Sequence, residues 1–258
     1  MRLLKSFRLV VCSLTCFLTF ASFRILGLNP PFIALAGSFF IAVSGMLQND
    51  WRDRFHDIKK GKSFAAERPK LFLTVLVAFW SVSFTIVGFA FFRGMLLGIS
   101  FLFLCAIGFA YSEIRKIPLL PTVLVVFCFS SPIFLPSIIY KEVAIPWFLF
   151  LSVFFFVFGR EMMKDIDDAR IDKGYKWTLA VKMGIKGAQL IAMMSICIGI
   201  VIAFSVVVGL PSVKFITIVG FIIICMGLGL FGIGMPSKTA RMWLDSGAAV
   251  SILGLIIK

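Results

Sequence analysis

Residues 32–57 read FIALAGSFFIAVSGMLQNDWRDRFHD, an apolar run that ends in the polar residues Asn49, Asp50, Asp53 and Asp57. The run from 32 to 49 contains no charged residue. A helix needs about 20 mainly apolar residues to cross the hydrocarbon core of a bilayer. This stretch therefore predicts a membrane-spanning helix that carries an acidic motif at one end.

The rest of the chain has the same character. Hydrophobic residues make up 60% of the 258, charged residues only 15%, and the mean hydropathy is +1.06, which excludes an ordinary water-soluble domain. We expect an all-α integral membrane protein with about nine transmembrane helices, forming one domain over residues 1–258. The predicted spans are 8–28, 32–49, 71–91, 94–111, 119–139, 145–163, 189–209, 213–231 and 239–257.

The basic residues predict the orientation. With nine spans, one side of the membrane receives 21 of the 26 Lys and Arg residues. The positive-inside rule places that side, with the N-terminus, in the cytoplasm of a cell inner or plasma membrane. The net charge of +14 is explained by topology, so no nucleic-acid partner is expected.

A second acidic motif leaves the sixth predicted span on the same side. Residues 160–172 read REMMKDIDDARID, so Asp165, Asp168 and Asp172 repeat the spacing of Asp50, Asp53 and Asp57. On an α-helix, positions spaced in this way share one face over two turns.

Carboxylates stacked on one face repel one another, and an isolated carboxylate near the membrane core costs about 2.5–3.5 kcal/mol on the insertion scale. A divalent cation offsets both penalties, and Mg²⁺ commonly bridges carboxylates to substrate phosphates. We therefore expect two facing aspartate groups to hold Mg²⁺ and a diphosphate. Basic side chains near the motifs would donate charge-assisted hydrogen bonds to it: Arg54, Arg68, Lys116, Arg160, Lys164 and Lys173.

Together the motifs resemble those of the UbiA-type intramembrane prenyltransferases. The N-D-x-x-D-x-x-x-D of residues 49–57 is similar to the first motif of that family. The R-E-x-x-K-D-x-x-D-x-x-x-D of residues 160–172, followed by Thr178 and Leu179, is similar to the second, most closely in the digeranylgeranylglyceryl phosphate synthase-like branch.

The resemblance implies a helical bundle around a central cavity that opens to lipid. It also implies Mg²⁺-dependent transfer of a polyprenyl group from a polyprenyl diphosphate to a lipophilic or amphiphilic acceptor, which is an aromatic ring, a quinone precursor or a lipid or glycerol-type hydroxyl. The metal ligands carried over are Asn49, Asp50, Asp53, Asp57, Asp165, Asp168 and Asp172. Of these, Asp50, Asp53, Asp165 and Asp168 are the predicted catalytic residues.

The expected substrate-binding residues include a tyrosine followed by bases. Tyr111 lies where the family has a Tyr-x-x-x-Lys element, with Arg at the expected lysine, so either Arg115 or Lys116 can serve. The full predicted set is Arg54, Arg68, Tyr111, Arg115, Lys116, Arg160 and Lys164.

Other functions remain open from sequence. A cation-coupled membrane transporter also uses intramembrane acids, although it would tend to place them near the bilayer midplane in broken helices. Asp168-Ala169-Arg170 matches a fragment of the CDP-alcohol phosphotransferase signature, without its Asp-Gly. His56 lies off the predicted aspartate face, so we expect a solvated loop histidine.

Overall fold

The computed structural model describes residues 9–61, 64–111, 113–114, 117–141, 146–208 and 215–256. Regular structure within those ranges is entirely helical, as predicted. The α-helices are α1 (Leu9–Ile25), α2 (Phe32–Arg52), α3 (Phe64–Glu67), α4 (Pro69–Arg93), α5 (Met95–Ala110), α6 (Leu120–Ser130), α7 (Leu135–Ile139), α8 (Trp147–Asp172), α9 (Leu179–Val208), α10 (Phe215–Gly232) and α11 (Ser237–Ile256). Short 3₁₀ turns occupy Asp57–Lys60 and Ser131–Phe134.

A helix lies in each predicted span over the residues that the structure describes, and several of these helices meet the requirements for crossing a bilayer. In the part of the chain that the structure describes, five helical segments are both long and apolar enough to cross. They are Phe32–Arg52, Pro69–Arg93, Leu120–Ile139, Leu179–Val207 and Phe215–Gly232. Helices α1 and α5 are equally apolar but shorter, while α8 and α11 carry charged residues.

Two predicted spans differ from simple continuous helices. The span at 119–139 is interrupted by the 3₁₀ turn Ser131–Phe134, which contains Pro132 and is followed by Pro136. Proline has no N–H to donate and its ring disrupts the preceding helical turn. Helix α9 begins well before predicted residue 189 and is kinked at Gly184, whose φ of 80° favours glycine.

The helices form two packed groups that meet around internal cavities. One hydrophobic core joins α1, α2, α4 and α5, with Phe72, Phe101 and Leu47 among its buried side chains. The other joins α8, α9, α10 and α11 around Met162 and Leu244. Because α11 also packs against α1, the last described helix contacts the first described one and closes the bundle.

Small residues allow α10 and α11 to lie unusually close together. A Cβ atom added at Gly220 or Gly247 would overlap the backbone of the opposite helix. Lipid offers no hydrophobic driving force for association, so membrane helices gain stability from such close van der Waals packing. The pair holds α11 as a wall of the bundle.

Candidate functional site

A polar pocket lies where α2 and α8 end. Asn49 lines it from the first motif, and Asp165, Asp168 and Asp172 line it from the second. Tyr111, Lys164 and Lys176 also line the pocket, as does Glu161. The structure therefore brings Asn49 and the three aspartates of the second motif to one polar pocket, whereas the aspartates of the first motif are not among its lining residues.

The first motif is not one continuous helical face, which corrects the sequence-based expectation. Helix α2 ends at Arg52, so Asp53 caps the helix and Asp57 begins the following 3₁₀ turn. Asp53 N–H still donates to Asn49 at 2.9 Å, and Asp57 N–H donates to Asp53 at 2.8 Å. These i to i−4 bonds preserve a helix-like spacing, and Asp50, Asp53 and Asp57 are all buried.

Asp53 is bound by two residues that the sequence analysis did not select. It is only 1% exposed, and it accepts hydrogen bonds from Tyr175 Oη at 3.0 Å and from Lys176 Nζ at 2.7 Å. Burial by itself lowers the pKa of Lys176, but Tyr111, Asp53 and Asp172 raise it above its ordinary value. The lysine is therefore a permanent cation in the pocket.

The second motif lies on α8, as predicted, and its last two acids are held by Lys60. The Lys60 ammonium lies 2.7 Å from Asp168 Oδ2 and 2.8 Å from Asp172 Oδ1. Burial by itself raises the pKa of Asp172, but hydrogen bonds from Lys60 and His56 and the charge of Lys176 bring it below the ordinary value. Asp172 is thus ionised in the folded protein.

His56 is not a solvated loop residue, so that expectation was wrong. Its side chain is 8% exposed, its Nε2 lies 2.9 Å from Asp172 Oδ1, and its ring stacks on Tyr175 with centroids 3.8 Å apart. Helical spacing misjudged its direction because α2 ends before residue 56. The chain then turns His56 towards the second motif.

Asp165 has a different environment, one turn before Asp168. Burial raises the pKa of its carboxyl to about 7, although the Lys164 ammonium opposes this shift. Without a metal ion, this carboxyl therefore holds a proton more readily than an exposed aspartate does. A bound cation would favour the ionised form.

The side chains of the two motifs are of the chemical type that binds Mg²⁺, but their oxygen atoms are not spaced to hold an ion. Carboxylate and amide oxygens are the hard ligands that Mg²⁺ prefers, and both motifs supply them. Among the described residues, however, no three His, Cys, Asp or Glu side chains converge tightly enough to hold a metal ion. Lys60 and Lys176 instead occupy positions beside the carboxylates.

The predicted substrate-binding residues divide into two groups. Tyr111 and Lys164 line the polar pocket, and Arg160 lines an adjoining cavity. Arg54 packs over the Trp51 ring at 4.2 Å, and Arg68 is exposed at the start of α4, so neither lines the polar pocket. The alternatives Arg115 and Lys116 lie outside the described residues.

Two apolar cavities adjoin the polar pocket. The larger, of about 170 Å³, is bounded by α1 and α8–α11 and has Arg160, Glu161 and Asp245 in its wall. The smaller, of about 80 Å³, lies among α1, α2, α5 and α6 and shares Tyr111 and Lys164 with the polar pocket. The polar pocket and the smaller apolar cavity thus share part of their wall.

The sequence model of the UbiA prenyltransferase family matches residues 9–247. The chain belongs to the UbiA prenyltransferase family. It is therefore an integral membrane prenyltransferase, and the resemblance inferred from the two motifs is confirmed. Family membership favours this enzyme class over the transporter, and the unbroken helices α2 and α8 agree with it.

Solved structures share the UbiA fold at low sequence identity. The apo structure of a UbiA homolog from Aeropyrum pernix K1 matches with a TM-score of 0.75 and 17% identity, over 95% of this chain and 97% of that one. A digeranylgeranylglyceryl phosphate synthase structure matches with a TM-score of 0.63 and 16% identity, over 99% of both chains. A search of curated proteins finds no match.

The residues that sequence reasoning missed are mostly the partners of the motif acids. Lys60, Tyr175 and Lys176 follow the motifs closely, so proximity was an available but weak signal. Asp245 was a stronger signal, since it is the only acid in the predicted span 239–257, whose one other charged residue is Arg241. The pairing of Asp245 with Arg160 could be found only from the packing of α11 against α8.

Proposed function

We propose that this prenyltransferase transfers a polyprenyl group from a polyprenyl diphosphate to a lipophilic or amphiphilic acceptor within the membrane, with Mg²⁺ as cofactor and diphosphate as product. The observation that carries the proposal is the junction of the polar pocket with the smaller apolar cavity at Tyr111 and Lys164. A prenyl diphosphate has the matching shape, with a charged head and an apolar tail.

Both motifs would hold the metal and the diphosphate. The proposed Mg²⁺ ligands are Asn49, Asp50, Asp53, Asp57, Asp165, Asp168 and Asp172. Bound Mg²⁺ neutralises charge on the diphosphate. Tyr111, Lys164 and Lys176 are the described pocket residues best placed to donate hydrogen bonds to diphosphate oxygens. Of the predicted catalytic acids, Asp50 and Asp53 act from the buried end of α2.

The reaction requires little covalent chemistry from the protein. The C1–O bond of the donor breaks with its electron pair remaining on diphosphate, which leaves an allylic cation. The nucleophilic atom of the acceptor bonds to C1 and releases its proton to diphosphate or water. Pocket cations stabilise the leaving group, and the apolar cavity excludes water that would capture the carbocation.

We further propose nine membrane spans in a single domain, with the N-terminus and both motifs in the cytoplasm. Helices α8 and α11 would span despite their charges, because those charges cluster at the motif end or pair with each other. The charge asymmetry of the sequence supports the orientation. The acceptor would reach the site from the bilayer.

The test is release of inorganic diphosphate by purified protein from a panel of polyprenyl diphosphates and acceptors, with Mg²⁺ or with EDTA. Asp168→Asn should lower the rate about a hundredfold or more, because it replaces a carboxyl group of the pocket by an amide. Asp167→Asn is the matched control, since Asp167 instead bonds Ser237 and Arg241.

Each part of the proposal fails on a different result. Full activity in EDTA would exclude Mg²⁺ dependence. Equal losses in the two variants would remove the second motif from the site. Folded protein that releases no diphosphate from any donor would refute the donor assignment.

A further inference from the structure

Four charged side chains of alternating sign form a continuous chain from α11 to the polar pocket. Asp245 accepts two hydrogen bonds from Arg160, at 2.6 Å from Nε and 2.8 Å from Nη2. Arg160 Nη1 donates to Glu161 Oε1 at 2.8 Å. The other oxygen, Glu161 Oε2, accepts from Lys164 Nζ at 2.7 Å.

This chain crosses from one cavity to another. Arg160 and Asp245 line the larger apolar cavity, where their side chains are only 14% and 23% exposed. Lys164 is at the opposite end, in the wall shared by the polar pocket and the smaller cavity. It therefore lies where the charged head of an amphiphile meets its apolar tail.

The arrangement makes the position of Lys164 depend on Asp245. A guanidinium prefers a two-pronged pair with one carboxylate, and Asp245 satisfies that preference for Arg160. Arg160 also contacts a second carboxylate, that of Glu161, at 2.8 Å, and without Asp245 this contact is available for a two-pronged pair. Glu161 would then turn towards Arg160 and release Lys164.

We propose that Asp245 is a positioning residue for the prenyl transfer. By engaging Arg160 it leaves Glu161 Oε2 for Lys164 and fixes the Lys164 ammonium at the junction of head and tail. This inference rests on the proposed function, in which the C1–O bond breaks at that junction and its electron pair moves to diphosphate.

The consequence is a specific kinetic signature. The negative charge on the leaving oxygen grows only as the bond breaks, so a correctly placed ammonium stabilises the transition state more than the bound substrate. Loss of Asp245 should therefore lower kcat and leave the KM for the donor nearly unchanged. A variant that merely folds less well would keep the wild-type kcat per folded molecule.

The experiment compares Asp245→Asn with Asp167→Asn in the full-length protein. Asp167 is a fair control because it also bridges α8 to α11, through Ser237 and Arg241, but lines neither the polar pocket nor the two apolar cavities. Asp245→Asn should lower kcat about tenfold to a hundredfold. Asp167→Asn should stay near wild type, and Asp245→Glu should recover part of the loss.

A double-mutant cycle with Lys164→Met tests whether Asp245 acts through Lys164. If it does, Asp245→Asn lowers kcat little further in a protein that already carries Lys164→Met. If the two residues act independently, their fold-losses in kcat multiply. Acetylation of Lys164, followed by mass spectrometry, gives a readout that needs no turnover. Asp245→Asn should increase its labelling rate several-fold, with no such change in Asp167→Asn.

The inference is overturned if Asp245→Asn has the same kcat as Asp167→Asn. It is also overturned if the fold-losses in kcat of Asp245→Asn and Lys164→Met multiply in the double variant, or if Asp245→Asn leaves the labelling rate of Lys164 unchanged. If Asp245→Asn does not fold, the same comparisons are made with Asp245→Glu, for which an intermediate loss is expected. If wild-type protein releases no diphosphate, the proposed function is refuted instead. The labelling rates would still show whether Asp245 holds Lys164 in place through Arg160 and Glu161.

Discussion

Replacing Lys60 by methionine should destabilise the metal-free protein while strengthening its response to Mg²⁺. Lys60 is 7% exposed and contacts both Asp168 and Asp172, the latter 3% exposed. Methionine retains an unbranched apolar side chain but removes the ammonium. The two carboxylates, one helical turn apart, would then repel each other, although His56 would still bond Asp172.

The magnitude follows from the burial of the pair. Breaking a buried ion pair by removing one partner costs about 3–5 kcal/mol. Asp168 is 26% exposed and retains some solvent, so the lower end of this range applies. At about 2–4 °C per kcal/mol for a chain of this size, a loss of about 3 kcal/mol lowers Tm by about 6–12 °C.

The assay is thermal unfolding of detergent-solubilised protein with EDTA and with added Mg²⁺. Lys59→Met is the matched control, because Lys59 lies in the same 3₁₀ turn and is exposed. Mg²⁺ should raise Tm more in Lys60→Met than in wild type, since no ammonium competes for the same carboxylates.

Two results would refute this reasoning. Equal melting of Lys60→Met and Lys59→Met in EDTA would show that the ion pairs contribute no stability. A Mg²⁺ shift in Lys60→Met no larger than that of wild type would show that Asp168 and Asp172 are not a cation site.

Two further predictions concern helix packing and pH. Gly220→Val should lower Tm by several degrees, because the new side chain would overlap Ser251 on α11. Gly229 faces open space, so Gly229→Val should melt like wild type. Equal Tm values for the two variants would contradict the close packing of α10 and α11. Burial raises the pKa of Asp165 from 3.8 to about 7, so between these values the folded state holds a proton that the unfolded chain has released. Stability in EDTA should therefore rise as pH falls below about 7, by up to about 1.4 kcal/mol per pH unit, and an unchanged slope in Asp165→Asn would exclude this origin.

The second motif could be predicted more fully than the first. Residues 160–172 lie within one helix, so their spacing correctly placed three aspartates on α8. Residues 49–57 have the same spacing, but α2 ends at Arg52 and the chain continues as turns. Local spacing cannot show where a helix ends when no proline or glycine marks the boundary. His56 was misplaced for the same reason.

Composition determined by itself that this chain is a helical membrane protein. In hydrocarbon each backbone polar group needs an internal partner, so long apolar segments become helices whatever surrounds them. The two acidic motifs were likewise visible, because clustered charge is costly in such a chain and marks a functional site. These properties depend on residues close together in sequence.

Only the tertiary structure decided which charges meet. Lys176 pairs with Asp53, Lys60 with Asp168 and Asp172, and Arg160 with Asp245 across long separations in the sequence. Most bases in the sequence fall on one predicted side of the membrane, so the sequence offers many equivalent candidates for each acid. The packing of α11 on α8 and the turn after α2 select among them, because a charge-assisted hydrogen bond forms only when donor and acceptor approach within about 3 Å.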